Sequence, residues 1–451
     1  MSNTVTSSQN EMFGHPKGLF VLFFTEMWER FSYYGMRAIL VLYLVTSADA
    51  TNAGLGWLQK DALALYGTYT MLVYVASIPG GIIADKLLGQ KKSVLLGGLL
   101  LCLGHGILAI EEMWAFYTGL GLIIGGVGML KPNISTMVGG LYKQGDIRRD
   151  KGFTIFYIGI NVGAFLSSLI VGYVGETYGW HYGFGLAGIG MLLGQAVYMM
   201  GQKHLADVGN FLGSKEVSEE ERAKLNAPLT KIEKDRIIVL FLSFLIVIVF
   251  WGAFEQAGGL MNIYTAEKTN RMLMGWQVPA SWFQSLNALF IILFGTAVAG
   301  YWAVRKLKGK ESSSLFKMGV GTAIMGLGFL FMTGATAQFE ASGESAMYWL
   351  VLAYLFHTIG ELCASPVALS FITKLAPVKY ASIMMGMYFA MTGFGNKLAG
   401  LLGESASDLG EYTIFTGIAI FCVIFGLLIV ALLKKLKALT HGAEDQEGVE
   451  A

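Results

Sequence analysis

The ionisable residues that could do chemistry in this chain stand in apolar surroundings. Glu26, Glu29, Arg30 and Arg37 fall in the run Glu26-Met-Trp-Glu29-Arg30-Phe-Ser-Tyr-Tyr-Gly-Met-Arg37, which is continuous with long apolar stretches on both sides. Offsets of three and four put Glu26, Glu29 and Arg30 on one helical face, and Arg37 follows one heptad after Arg30. Four more charges are isolated in apolar runs: Lys131 in Leu130-Lys131-Pro132-Asn133, Glu255 beside Gln256, Glu361 in Gly360-Glu361-Leu362, and Lys397 after Asn396. An ionisable side chain at the centre of a bilayer costs roughly 2.5–3.5 kcal/mol on insertion scales. Such residues therefore face a polar cavity or a partner charge. Static ion pairs that lock helices together are the plain alternative, but a buried pair is often no better than apolar packing, so so many of them point to function. A carboxylate's proton affinity rises on desolvation and falls beside a cation. A mobile cation partner then makes proton uptake depend on conformation, without metal or cofactor.

The elements that must position these groups follow from composition. Of 451 residues, 54% are hydrophobic and only 14% charged, against roughly 25% charged in a soluble domain. The 59 glycines suit membrane helices, whose backbones approach closely at small residues. A crossing takes about 20 mostly apolar residues, which predicts spans near 18–46, 62–84, 93–110, 114–140, 152–174 and 182–202. A second set is predicted near 236–262, 282–304, 315–334, 347–374, 380–402 and 411–433. The one long polar stretch, Lys203 to Asp235, carries the charge-rich run Lys215 to Arg222. The expected organisation is an N-terminal six-helix bundle (1–202), a cytoplasmic linker (203–235), a C-terminal six-helix bundle (236–440) and a polar tail (441–451).

Lys and Arg concentrate in the even-numbered connections, such as Lys86, Lys91 and Lys92, or Lys143, Arg148, Arg149 and Lys151. The odd connections hold only Lys60, Lys268 and Arg271. By the positive-inside rule both termini are expected in the cytoplasm. Two sets of six helices suggest a transporter whose substrate binds at mid-membrane between related halves. The second connection, Gly81-Ile-Ile-Ala-Asp85-Lys-Leu-Leu-Gly89-Gln-Lys-Lys92, resembles the loop motif of the major facilitator superfamily, with a weaker echo at Gly300 to Lys310.

Several classes of function find no support. A formal charge of +1 makes nucleic acid an improbable partner, and no Walker loop is present to bind ATP. Cys102, Cys363 and Cys422 lack pairing or metal-ligand spacing and read as packing residues. His105, His181, His204 and His357 show no ligand spacing and no nucleophile partner, so neither a metal site nor an enzyme is expected. No short apolar segment with a cleavage site opens the chain, so no removable signal peptide is expected.

The motifs resemble those of the proton-dependent oligopeptide transporter family. Glu26 to Gly35 looks like its ExxER signature, and Phe156-Tyr157-Ile-Gly-Ile-Asn161-Val-Gly163 resembles its second signature. Lys131-Pro-Asn, Trp251 to Gln256, Phe283 to Asn287, and Glu361 with Ser365-Pro366 follow in the same order. The resemblance implies an all-α membrane protein with twelve transmembrane helices in two six-helix bundles of major-facilitator type. It implies a proton-coupled symporter importing di- and tripeptides by alternating access across the inner membrane. Glu26, Glu29, Arg30 and Glu255 would couple protons. Arg30 and Lys131 would attract the peptide carboxylate, Glu361 would hold the amino group, and Asn161 and Asn287 would bond the peptide backbone. Tyr33, Tyr34, Tyr74, Tyr157 and Trp251 would line the peptide site, and Arg37 with Glu255 would form a gating pair.

The expected partners are peptide, protons and membrane lipid, with the chain functional as a monomer. Another small solute, such as an amino acid, a peptide-like compound or nitrate, is the alternative within the same fold; loss of Glu361 or Lys131 would have favoured it, and both are present. Two departures from the family pattern stand out. Many bacterial members insert two additional helices between their halves, for which 203–235 is too short and polar. Tyr388 occupies a position where tryptophan is more typical.

Overall fold

The computed structural model describes residues 11–443 apart from 144, 145, 147, 207, 212–227, 378 and 379. The charged run at 215–222, Lys379 and most of the tail lie outside the described residues. Every expected span is a helix. In order they are Lys17–Val45, Gln59–Leu88, Gln90–Leu108, Met113–Gly140, Arg149–Tyr178 and Trp180–Met200, then Lys231–Lys268, Ala280–Leu307, Ser314–Ser342, Met347–Leu375, Ala381–Leu409 and Glu411–Thr440. They are called spans 1 to 12 below. Among the described residues, ten of these are long and apolar enough to cross a membrane. Span 1 falls outside that set because Glu26, Glu29, Arg30 and Arg37 interrupt it, and span 11 carries Asn396 and Lys397 among many glycines. The helices are apolar all round, as lipid on one side and protein on the other require.

The chain forms two compact units. The first comprises residues 1–55 and 72–214, and the second 56–71 and 215–451. Span 2 is thus divided, its first half belonging to the second unit. Its helix breaks at Ala76, between Gln59–Val75 and Ser77–Ile83, and closes in a π turn at Ala84–Leu88.

In the first unit, span 1 packs on spans 5 and 6, span 3 on spans 4 and 6, and the Ser77–Ile83 segment on span 4. Span 4 contains Pro132, next to Lys131. Proline has no N–H to give the carbonyl four residues back, here that of Gly128. Gly80 packs against that same Gly128 carbonyl, so that a Cβ on Gly80 would overlap it, while a Cβ on Gly128 would lie 2.6 Å from the Ala76 oxygen. The break in span 2 and the proline in span 4 therefore meet through glycines, which fixes the level of Lys131. Outside the membrane, Arg148 joins Asp146 and Glu11, both at 2.9 Å. Its hydrogen bonds draw the Asp146 carboxyl down to about 2.

In the second unit, span 9 packs on spans 10 and 12, span 7 on span 11, and span 8 on span 10. Val239, Phe244, Met318, Phe371 and Ile429 centre its apolar core. Span 7 starts at a capping box in which Thr230 and Glu233 exchange hydrogen bonds, satisfying donors that a helix start leaves open. It then breaks: the helix Lys231–Phe254 gives way to a 3-10 turn at Glu255–Ala257, two glycines, and a short helix Leu260–Lys268. Spans 9 and 10 cross at Gly321 and Gly360, where a Cβ on either would sit 2.6–2.7 Å from the other's carbonyl oxygen. Glu361 is the next residue, and Pro366 interrupts the same helix.

A leucine at Gly80 should separate span 2 from span 4. Overpacking of this kind typically costs about 1–3 kcal/mol, and the expected result for Gly80→Leu is a lower unfolding temperature in detergent, read by fluorescence-detected size-exclusion after heating. An unchanged melting profile would show that the Gly80–Gly128 approach does not hold the two spans.

Candidate proton-coupling and substrate-binding residues

Each unit carries its own cluster. In the first, the Arg30 Nε lies 3.0 Å from a Glu26 carboxylate oxygen and 2.5 Å from one of Glu29. Relative exposure is 3% for Glu26 and Arg30 and 0% for Glu29, so two carboxylates converge on one guanidinium with no access to water. The helical offset of three and four is what brings them together. Arg30 also lies 5.9 Å from the Tyr33 ring and 5.8 Å from that of Tyr34, and Arg37 stands 4.8 Å over Tyr34. Lys131 of span 4 sits 3.9 Å over the Tyr74 ring, a cation–π contact, within electrostatic reach of Glu29 and Arg30.

Gly163 of span 5 backs this cluster. A Cβ there would overlap the Met27 carbonyl oxygen and lie 3.1 Å from the Arg30 Cβ. Asn161, two residues earlier, donates its side-chain amide to the Tyr157 carbonyl of its own helix at 2.9 Å, while the Tyr157 side chain is exposed.

In the second unit, Asn287 of span 8 donates to a Glu361 carboxylate oxygen at 2.7 Å and to the Thr358 hydroxyl at 3.1 Å. Thr358 precedes Glu361 by three residues on span 10, so one amide reads one face of that helix. Glu255 sits at the break in span 7, buried, and accepts a hydrogen bond of 3.1 Å from the Tyr66 hydroxyl. Gly258 leaves the room for that hydroxyl, and Gln256 ties the break to the Ala399 carbonyl of span 11 at 3.0 Å. Trp251 packs edge-on to Phe250 and Phe254, with Gly395 against its Cβ. Lys397 donates to Thr68 at 2.9 Å, and Tyr388 belongs to the apolar core.

Sequence reasoning grouped Glu26, Glu29 and Arg30, and the structure places them in one ion cluster. It missed Tyr66 and Thr358, and it named Gly163 only as part of the second signature, without its packing role against span 1. Tyr66 lies in an ordinary apolar helix where nothing marks one tyrosine above another. The run Gly258-Gly259 after Glu255 was the available sign of a helix break that needs filling. Among the described residues no cluster of three or more His, Cys, Asp or Glu could hold a metal ion.

Comparison with known proteins gives this arrangement its context. The family model described as the POT family matches residues 91–219 and 212–414. The chain belongs to this family. It is similar to the di-/tripeptide transporter of Lactococcus lactis subsp. cremoris, at 35% identity over 96% of this chain and 98% of that one. It is similar to the peptide transporter YePEPT of Yersinia enterocolitica subsp. palearctica, at 33% identity over 99% of both chains. Among solved structures, a variant of peptide transporter POT in complex with alafosfalin matches with a TM-score of 0.88 and 35% identity, covering 96% of this chain and 97% of that one. The POT family consists of multi-pass membrane transporters, and the expected twelve-helix fold of major-facilitator type is the one found here.

The backing of Arg30 by Gly163 gives a direct test. In Gly163→Ala the new methyl group should clash with the Met27 carbonyl and the Arg30 Cβ, push spans 1 and 5 apart and shift the ion cluster away from span 5. We expect monodisperse protein with uptake reduced at least tenfold; wild-type uptake would show that the cluster tolerates that displacement.

Proposed function

We propose that this POT-family chain is a proton-coupled symporter that imports di- and tripeptides by alternating access across the cell's inner, plasma membrane, with both termini in the cytoplasm. The observation that carries the proposal is the buried cluster of Glu26, Glu29 and Arg30, with Lys131 in the same unit. Two carboxylates and two cations balance there. One proton added to Glu29 leaves a cation uncompensated, and an unpaired buried charge is costly. The carboxylate of a peptide restores the balance. Proton and peptide therefore enter the site together, which is symport.

The remaining roles follow from the chemistry of a short zwitterion. Arg30 and Lys131 take the peptide carboxylate, Glu361 with Asn287 takes the amino group, and Asn161 and Asn287 take backbone groups. Tyr33, Tyr34, Tyr74, Tyr157 and Trp251 supply aromatic walls that accept varied side chains. Glu255 is a second protonation site whose partner changes during the cycle, Tyr66 in one state and Arg37 in the gated one. The bundles 1–202 and 236–440, joined by 203–235 and followed by the tail 441–451, are the bodies proposed to move. The names of the relatives, peptide and di-/tripeptide transporters, support the substrate class.

Two variants separate the parts of this reading. Glu29→Gln removes the proton-dependent switch while keeping the shape, so uphill uptake should be lost and counterflow exchange of labelled dipeptide retained. A Glu29→Gln protein that still concentrates dipeptide would remove Glu29 from coupling. A charge-assisted contact is worth about 1.5–3 kcal/mol, so Lys131→Ala should weaken dipeptide competition roughly tenfold to a hundredfold and C-amidated analogues far less. Equal losses for both would remove the carboxylate clamp.

A further inference from the structure

Residues 269–279 join spans 7 and 8, and the connection is a tight hairpin. Met272–Leu273 and Trp276–Gln277 pair antiparallel, with Met272 opposite Gln277 and Leu273 opposite Trp276. Its base is held twice. The Val278 N–H donates to the Arg271 carbonyl at 2.9 Å, and the Arg271 guanidinium donates to the Val278 carbonyl at 2.6 Å. Just before it, Thr269–Asn270 pairs with Ser345–Ala346 of the connection between spans 9 and 10. The tip therefore projects from a fixed base.

That tip is apolar where a turn in water is ordinarily polar. Met272 and Leu273 are each 53% exposed, Trp276 is 43% exposed, and Met274 is fully exposed. No ionisable residue occurs from Met272 to Gln284. The backbone sharpens the contrast. Met274 and Gly275 have φ of 50° and 82°, the positive pair that a two-residue hairpin of this type requires and that asparagine, aspartate or glycine ordinarily fills. Methionine adopts such a φ at a conformational cost, and at full exposure no packing within the chain offsets it. Local turn chemistry and side-chain hydrophobicity both disfavour Met274 in water, so what favours it lies outside the chain.

We propose that this hairpin tip inserts into the interfacial layer of the bilayer and anchors the connection between spans 7 and 8 to lipid. The hairpin continues the membrane-embedded surface, because the residues that bound it are Lys268, the last of span 7, and Ala280, the first of span 8. Its base thus stands at the membrane boundary. Exposed apolar side chains with tryptophan and no charge form the composition that enters this layer. Trp276 packs against Trp282 at the start of span 8, with ring centroids 5.2 Å apart, which puts two tryptophans at one level. A protein partner fits less well, since a stable interface takes about 800 Å² from each side and a tip of four apolar side chains is small for it. The anchor bears on the short helix Leu260–Lys268 after the break at Glu255, because the hairpin directly continues it.

The test uses the full-length protein with Cys102, Cys363 and Cys422 replaced by alanine and one nitroxide label at Met274→Cys. A second variant carries the label at Asp49→Cys, in the exposed connection between spans 1 and 2, which lies on the same side of the membrane because both connections are odd-numbered. In phosphatidylcholine–phosphatidylglycerol liposomes, electron paramagnetic resonance reads collision with oxygen, which concentrates in lipid, and with a water-soluble nickel chelate. The label at 274 should meet nickel roughly threefold less often than the label at 49, and oxygen more often. A label at Leu273→Cys should give the same pattern, which keeps the test decisive where the label at 274 disturbs the turn. Nickel access at 273 and 274 equal to that at 49 would place the tip in water and overturn the proposal. Protection from both nickel and oxygen would overturn it in favour of a protein cover, a second copy of this chain where dipolar broadening accompanies the protection.

Discussion

A charge in hydrocarbon has to be neutralised, and this constraint organises the rest of the molecule. Span 1 carries two carboxylates and two guanidinium groups in a segment that is otherwise apolar. The bilayer cannot hydrate them, so they turn inward, where Arg30 pairs with Glu26 and Glu29 and Arg37 lies over the Tyr34 ring. That same insulation makes the cluster sensitive to a single proton or a single bound carboxylate. In water, solvent would absorb such a change. Inside the membrane, only another charge can.

Holding such a cluster demands close backbone packing, because long side chains would keep the helices apart. Gly163 lets span 5 lie against span 1 at Arg30, Gly80 and Gly128 bring span 2 onto span 4 beside Lys131, and Gly321 with Gly360 does the same beside Glu361. Pro132 and Pro366 sit one and five residues after the charges they accompany, and each leaves a carbonyl without its helical donor. Charged residues, glycine crossings and helix irregularities therefore occur together. Small residues give proximity, and the irregular turns give the polar groups an orientation that a straight helix would not.

Much of this was legible in the sequence. Span positions follow from apolar run length, and the Glu26–Glu29–Arg30 cluster follows from helical offsets of three and four. Both rest on periodicities that one chain displays by itself. The Tyr66–Glu255 hydrogen bond was not legible, because it joins span 2 to span 7 across 189 positions of sequence, and tyrosine in an apolar helix is unremarkable. Asn287 bonding to Glu361 was likewise beyond reach; resemblance to the family marked both residues for the substrate but not for each other. The division of span 2 at residue 71 also escaped, although Pro79, which has no N–H to give the Val75 carbonyl, stands three residues after the break at Ala76 and was its available sign.

Uptake of labelled dialanine into liposomes containing the purified protein, with and without an imposed inward proton gradient, tests the central claim most directly. The account predicts accumulation above equilibrium only with the gradient, competed by other dipeptides and not by free alanine. Equal uptake with and without the gradient would contradict the coupling assigned to the buried ion cluster, and inhibition by free alanine equal to that by dipeptides would contradict the peptide site.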